Sequence, residues 1–206
     1  MHDLTSAELR VLGSLLEKQR TTPDAYPLTL NALRAACNQS TNRDPVVNYD
    51  DETIRDALAR LGRRRWTRLA SGHGSRAAKY RHLLDEELKV DRAEQALLAV
   101  LMLRGPQTPG ELLQRTERLY HFEGPTDLHA VLDRLIDREL VARLPRRPGQ
   151  REERYMHLLG DEPPPEESFP PVAPPAPADE DRLARIEREL AELRAEVEAL
   201  RDAIGA

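Results

Sequence analysis

The sequence predicts a mainly α fold with small β-hairpins, built twice along the chain and followed by a separate helical tail. Three observations predict it. A run of amphipathic helix, strand, turn and strand over 54–84 returns over 128–159. The starts Leu4-Thr5-Glu8 and Val90-Asp91-Glu94 match in residue type and spacing. From Leu183 onward, apolar residues recur at alternating three- and four-residue steps without a break.

In the first copy, Thr5 and Glu8 have the spacing of a capping box, and Leu4 with Leu9 that of a hydrophobic staple. The first helix then extends to about Gln19, with Leu9, Leu12, Leu15 and Leu16 on its buried face and Val11 at the margin. Pro23 and Pro27 force a loop over 21–27, and Thr29 caps a second helix over 30–38. A third helix opens on Asp50-Asp51-Glu52 and carries the apolar stripe Ile54, Ala57, Leu58 and Leu61. Gly62 is expected to stop it. Strands over 66–70 and 77–84 flank the small residues Ser71-Gly72-His73-Gly74-Ser75.

The second copy repeats these parts. Ala96 to Leu103 supplies the apolar body of its first helix, and Thr108-Pro109-Gly110-Glu111-Leu112 begins its second. Leu128, Val131, Leu132, Leu135 and Ile136 stripe its third, before strands over 140–144 and 154–159 around a turn at Pro145-Arg146-Arg147-Pro148-Gly149-Gln150. A hairpin following such a helix is the back half of a winged-helix domain. Two tandem winged-helix domains are therefore predicted, over 1–86 and 87–160. The matching positions lie 86 apart at the helix-one starts, 82 apart at Pro27 and Pro109, and 74 apart at Leu61 and Leu135. The first copy is thus 12 residues longer, and eight of these fall between its second and third helices, around 38–47.

Residues 161–180 hold 8 of the 16 prolines and no basic residue, which predicts a disordered acidic linker. Over 181–206, Leu183, Ile186, Leu190, Leu193, Val197, Leu200 and Ile204 form a heptad seam. In a parallel alignment its flanking pairs are Arg182 with Glu187, Glu189 with Arg194 and Glu196 with Arg201, all opposite in sign. Self-association as a parallel coiled-coil homo-oligomer, a dimer by preference, is predicted. A single amphipathic helix docking on its own domains is the competing reading.

Composition bounds the function. The formal net charge of −5 is uneven, with 26 basic against 23 acidic residues over 1–160 and 5 against 13 over 161–206. One cysteine excludes an intrachain disulfide, and Glu8 and Arg10 interrupt the only apolar run near the amino terminus, so a soluble cytoplasmic protein without membrane contact is expected. With 4% aromatic residues, a stacking platform for single-stranded nucleic acid has little material.

The sharpest charge feature is 60–81, which holds Arg60, Arg63, Arg64, Arg65, Arg68, Arg76, Lys79 and Arg81 and no acid. On a winged helix this run would occupy the end of the third helix and the wing, where cations neutralise phosphates and release counterions. With Arg55, and with Arg146 and Arg147 of the second wing, these residues are the candidate DNA contacts. The bland reading is a solvated face. Base readout is disfavoured, because the third helix opens on acid where recognition helices meet base edges. Asp127, Asp133 and Asp137 do the same in the second copy.

Catalysis is not expected, nor is a cofactor or metal. Cys37 falls on the apolar side of the second helix with Leu30, Leu33 and Ala36, as a buried thiol rather than a nucleophile. The six histidines lack neighbours at metal-ligand spacing, and His82 and His157 hold equivalent strand positions. The polar loop carries Asn38, Gln39, Asn42 and Arg43. With Glu17, Lys18 and Gln19 these could form a ligand or nucleic-acid site, or could tie down an irregular backbone.

Leu16-Glu17-Lys18-Gln19, Thr21-Thr22-Pro23, Tyr26-Pro27-Leu28, Ala36-Cys37-Asn38-Gln39, Asn42-Arg43-Asp44-Pro45-Val46 and Arg154-Tyr155-Met156-His157-Leu158 closely resemble the YceH family of bacterial proteins. The resemblance covers about the first 160 residues. It implies two tandem winged-helix domains and a variable tail often ending in a coiled coil, and it implies no activity. Ser40 stands where relatives often have Lys, and His73 where an aromatic is common in the wing. The expected function is that of a DNA-binding or transcription-regulatory protein using a basic wing for phosphate contacts. The alternative is an adaptor whose domains hold protein partners.

Overall fold

A computed structural model describes residues 3–70, 77–146 and 152–161. The expected linker after Asp161 and the heptad seam from Leu183 to Ile204 lie outside the described residues, as do Arg76, Arg147 and the turns at 71–76 and 147–151. Seven helices and five short strands are formed among the described residues, making a mainly helical fold with small antiparallel sheets. The first copy runs α1 (Ser6–Thr21), β1 (Leu28–Thr29), α2 (Leu30–Cys37), α3 (Asp51–Arg63), β2 (Thr67–Leu69) and β3 (Lys79–His82). A short α4 (Leu84–Leu88) leads to α5 (Arg92–Arg104), α6 (Pro109–Thr116), α7 (Pro125–Asp137), β4 (Val141–Leu144) and β5 (Arg154–His157).

Both expected helix starts form as the residue types dictate. Thr5 N–H donates to Glu8 Oε2 at 2.8 Å while Glu8 N–H donates to Thr5 Oγ1 at 3.3 Å. Asp91 and Glu94 make the same reciprocal pair at 2.8 and 2.9 Å. Thr108 and Glu111 make a third at the start of α6, at 2.9 and 3.3 Å. Each box satisfies two N–H groups that a helix leaves without partners.

The stop of α3 differs from expectation. The helix runs through Gly62 to Arg63, and the left-handed residue that ends it is Arg65, at φ +62°. Trp66 N–H reaches Leu61 O at 2.9 Å and Arg65 N–H reaches Gly62 O at 3.0 Å, the two bonds of a Schellman ending. Glu139, at φ +54°, repeats this after α7, with Leu140 N–H on Leu135 O at 2.9 Å. The ending is placed by the apolar residue after it: Trp66 and Leu140 are both buried, and each pulls the chain back onto the core.

Helix α1 is also more buried than its stripe implies. Val11, expected at the margin, is fully buried, whereas Leu9 is half-buried. The reason is α5, which packs along α1 opposite α2 and α3, so that α1 is covered from two sides. Helix α5 is buried from Ala93 through Leu103. Leu12, Leu15, Leu97, Leu98 and Leu101 are fully buried in a core cluster that extends through both copies. Each such leucine contributes roughly 1.5–3 kcal/mol relative to exposure. Gly13 sits at the closest approach, where an added Cβ would lie 2.9 Å from Leu103 Cγ and 3.2 Å from Met102 Cβ.

The first sheet has the order β1-β3-β2, with Leu28 opposite Tyr80 and Arg68 opposite Arg81. In the second copy β4 pairs β5, and a single bridge between Gln107 and Tyr155 takes the place of β1. Leu4 N–H donates to Leu159 O at 3.0 Å and Asp161 N–H to Leu4 O at 3.0 Å, clasping the start of the first copy to the end of the second.

Candidate functional site

Four of the arginines of 60–81 line two depressions on different sides of α3, Arg60, Arg63 and Arg64 the one and Arg68 the other. Arg60, Arg63 and Arg64 line one of about 320 Å³ with Asp3 and Glu8, at the corner where the end of α3 meets the start of α1. Arg55 and Arg68 line another of about 540 Å³, with Leu58, Gly62, Leu69 and Tyr80 between α3 and the β2–β3 hairpin. At 100° per residue, positions 60, 63 and 64 face away from 55, 58 and 62. One basic run in sequence is thus two surfaces in space.

Charge pairing differs between the copies. Arg134 and Arg138 of α7 correspond to Arg60 and Arg64 by the 74-residue offset. Arg134 pairs Asp91 at 2.9 Å and Glu94 at 3.5 Å, and Arg138 pairs Glu94 at 3.3 Å and donates to Leu88 O. In the first copy neutral Thr5 stands where Asp91 does, and Arg63 where Asp137 does. Glu8 is held in its capping box, and Arg64 donates to Asp3 O at 3.5 Å. Among the described residues Arg60, Arg63, Arg65 and Arg68 are exposed and make no ion pair. Arg55 pairs Asp51 at 3.3 Å, Asp51 pairs Arg34 at 2.8 Å, and Arg81 pairs Glu86 at 2.6 Å. The acid at the start of α3 is therefore partly neutralised from α2. Lys79 is half-buried on β3, and Arg146 is exposed just after β4.

The polar loop turns its side chains inward. The Arg43 guanidinium has no exposed side-chain surface and grips Glu17 through two bonds of 3.0 and 2.6 Å. It also donates to Ala36 O, to Asn42 O and to Gln39 Oε1 at 2.8 Å. Asn38 bridges Tyr49 in both directions, accepting from its N–H and donating to its carbonyl at 2.8 Å each. Asn42 adopts φ +60° and accepts from Arg104 of α5, and Asp44 N–H donates to Leu103 O at 2.9 Å. The loop is stitched to α1, α2 and α5, so its inserted residues join the two copies.

Burial pushes the Glu17 carboxyl up, and the hydrogen bonds and charge of Arg43 outweigh it, leaving Glu17 below the usual carboxylate range. Arg10 is a member of this cluster that sequence reasoning missed. Buried between Leu9 and Val11, it donates to Cys37 O at 3.3 Å and Pro45 O at 2.6 Å. Its signal was a single cation interrupting an apolar run. Cys37 is fully buried, and burial pushes its thiol up to about 11, well away from nucleophilic reach at neutral pH.

His82 and His157 do one job twice. The Nδ1 of each accepts the N–H two residues onward, from Leu84 at 3.3 Å and from Leu159 at 3.4 Å. That bond leaves the ring hydrogen on Nε2, which in His82 faces Gln19 Oε1 at 2.8 Å. Burial pushes both rings down to about 4, so both are neutral at pH 7. Among the described residues no three His, Cys, Asp or Glu side chains are placed to hold a metal, and no helix is long and apolar enough to cross a membrane.

Comparison with known proteins gives a consistent set of relatives. Residues 4–150 match the family described as "Protein of unknown function, DUF480". The chain is 46% identical over 199 residues to a UPF0502 protein of Solibacter usitatus, covering 96% of each. It is 42% identical over 207 residues to the UPF0502 protein YceH of Escherichia fergusonii, covering 97% of this chain and 96% of that one. A UPF0502 protein of Azotobacter vinelandii is 52% identical over 153 residues, 74% of this chain and 68% of the relative.

Proposed function

We propose, taking as premise that the chain belongs to the UPF0502 (YceH) family, that it is a tandem winged-helix protein that binds DNA in a regulatory role. It holds the phosphate backbone through the arginines at the end of α3, without catalysis. The observation that carries this reading is the contrast between the copies. The cations of α7 are paired with Asp91 and Glu94, while Arg60, Arg63 and Arg65 stand exposed at matching or adjacent positions with no ion pair among the described residues. Exposed arginines without carboxylate partners can neutralise phosphates at little desolvation cost. Parallel pairing of two copies through the heptad pattern read in the sequence over 183–204 would double the cationic surface.

Fluorescence anisotropy of labelled random duplex DNA tests this, with the full-length protein at several salt concentrations beside an Arg60→Ala, Arg63→Ala, Arg65→Ala variant. Affinity is expected to fall by about 0.9 log unit per log unit of salt for each phosphate contact, and the variant is expected to show a shallower slope. Absence of binding at low salt by a folded sample would remove this reading. The adaptor reading would then stand. It is favoured by a different observation, the apolar depression beside Leu69.

A further inference from the structure

That depression has a counterpart in the second copy, and the two have been finished differently. Its lining residues Leu58, Gly62 and Leu69 correspond to Leu132, Ile136 and Arg143, and Tyr80 corresponds to Tyr155. In the second copy Ile136 packs against the core, and the Tyr155 ring is 2% exposed. The Arg143 guanidinium lies 5.8 Å from the centre of that ring, tethered by Asp133 at 3.6 Å and Glu153 at 3.7 Å. The His129 ring closes the other side at 6.5 Å. The second groove is filled by its own side chains.

In the first copy the tyrosine is kept as Tyr80, but Ile136, Arg143 and His129 have no like counterpart. Gly62 stands where Ile136 does, Leu69 is 62% exposed where Arg143 would fold over, and about 540 Å³ is left open. Gly62 has no backbone reason to be glycine. It is helical, the left-handed position belongs to Arg65, and an added Cβ would meet nothing nearer than Thr67 O at 4.0 Å. A glycine inside a helix lowers stability, so clearance of the groove is the physical account of it.

We infer that this groove, between α3 and the β2–β3 hairpin, docks an extended partner segment that seats one large apolar side chain flanked by acidic residues. The floor of Leu58, Gly62 and Tyr80 takes the apolar side chain. No acid lines the groove, and at its margins stand Arg55, paired with Asp51, and Arg68, exposed and without an ion pair among the described residues, so the charge it complements is negative. Leu69 adds a backbone component. The ladder bonds flanking it, Leu83 N–H to Trp66 O and Ala70 N–H to Lys79 O at 2.8 Å each, turn the N–H and C=O of Leu69 away from β3. An extended segment can take both. The inference rests on different side chains from the phosphate reading and survives its failure.

The test uses the full-length protein as bait for a display library of short random peptides, with enriched peptides labelled and titrated by anisotropy. Enriched sequences are expected to carry a large apolar residue between acids. Gly62→Ile, which installs the residue of the second copy, is expected to weaken them by about tenfold or more. Arg68→Ala should weaken binding less and reduce its salt dependence. Because Gly62→Ile adds a side chain in open space, its melting temperature should not fall, and its DNA anisotropy should match the unaltered protein. The inference is overturned by a library that yields no enrichment, or by peptides that bind Gly62→Ile undiminished. It is also overturned by self-association that disappears in Gly62→Ile, which would make a second copy the occupant.

Discussion

Replacing Arg43 with Ala tests whether the inserted loop is scaffold. In the fold this guanidinium has no exposed surface and answers Glu17, Ala36 O, Asn42 O and Gln39 Oε1 together. Its removal leaves a largely buried carboxylate and three carbonyl-type oxygens without their donor. Breaking one side of such a buried pair costs about 3–5 kcal/mol, because the remaining charge keeps its desolvation penalty and loses its closest partner, with only Lys18 left at 3.5 Å. At about 2–4 °C per kcal/mol for a chain of this size, the melting temperature should drop by roughly 10 °C. Urea unfolding followed by circular dichroism measures the loss directly.

The pH dependence sharpens the test. In the unaltered protein Glu17 is held below its ordinary value of 4.5, so the pair stabilises the fold above that pH and fails as pH drops through the folded value. In Arg43→Ala the larger lowering influence is gone and burial is opposed only by Lys18, 3.5 Å away, so the Glu17 carboxyl rises from its value in the unaltered protein. Acid then neutralises the stranded charge, and the gap between variant and unaltered protein should narrow from pH 7 to pH 4. A loss below about 1 kcal/mol at pH 7, or one unchanged at pH 4, would refute the buried-pair account. DNA anisotropy should be unaffected; its loss with an unchanged melting temperature would make the loop a binding site.

Two further outcomes follow from packing and from the paired histidines. Gly13→Ala places a Cβ 2.9 Å from Leu103 Cγ, so overpacking of about 1–3 kcal/mol should exceed the helix-propensity gain of about 1 kcal/mol, and a raised melting temperature would contradict the close α1–α5 approach. His82 and His157 are held neutral by burial, with Asp85 opposing and Arg81 and Arg20 reinforcing this at His82, and both sit at about 4 against an ordinary 6.5. Their contribution is complete above pH 6.5 and is lost as pH falls toward 4, costing about 2 kcal/mol each by pH 5. Unfolding free energies at pH 7 and pH 5 should show this drop. A His82→Gln, His157→Gln variant should flatten it.

What the sequence discloses is what short-range chemistry controls. Thr5 with Glu8 and Asp91 with Glu94 declare their helices because a capping box is complete within four residues. The stripe of α3 is likewise local. The burial of Val11 is not, because it depends on α5, some 85 residues away in the chain, and a period of 3.6 reports one buried face rather than two. The stop at Arg65 is hidden for a related reason: Gly62 looks like a terminator, yet the burial of Trp66 decides where the turn falls. Helical geometry alone sets 60, 63 and 64 apart from 55, 58 and 62, but the placement of Arg68 beside Arg55 depends on how β2 packs against α3 and was not legible. The pairing of Arg134 and Arg138 with Asp91 and Glu94, which sets the two copies apart, requires the tertiary fold.

The clasp of Leu4 between Leu159 and Asp161 has a kinetic meaning. These partners stand at opposite limits of the described chain, so joining them closes nearly the largest loop the unit contains, at an entropic cost of about 4–5 kcal/mol. During synthesis α1 leaves the ribosome long before α5, and its second apolar face must wait uncovered until α5 arrives. That interval favours misassociation, and it places this fold among those whose assembly is paced by distant contacts. The clasp is then expected to close late in folding. Changes at Leu4 should therefore alter how fast the fold comes apart more than how fast it assembles.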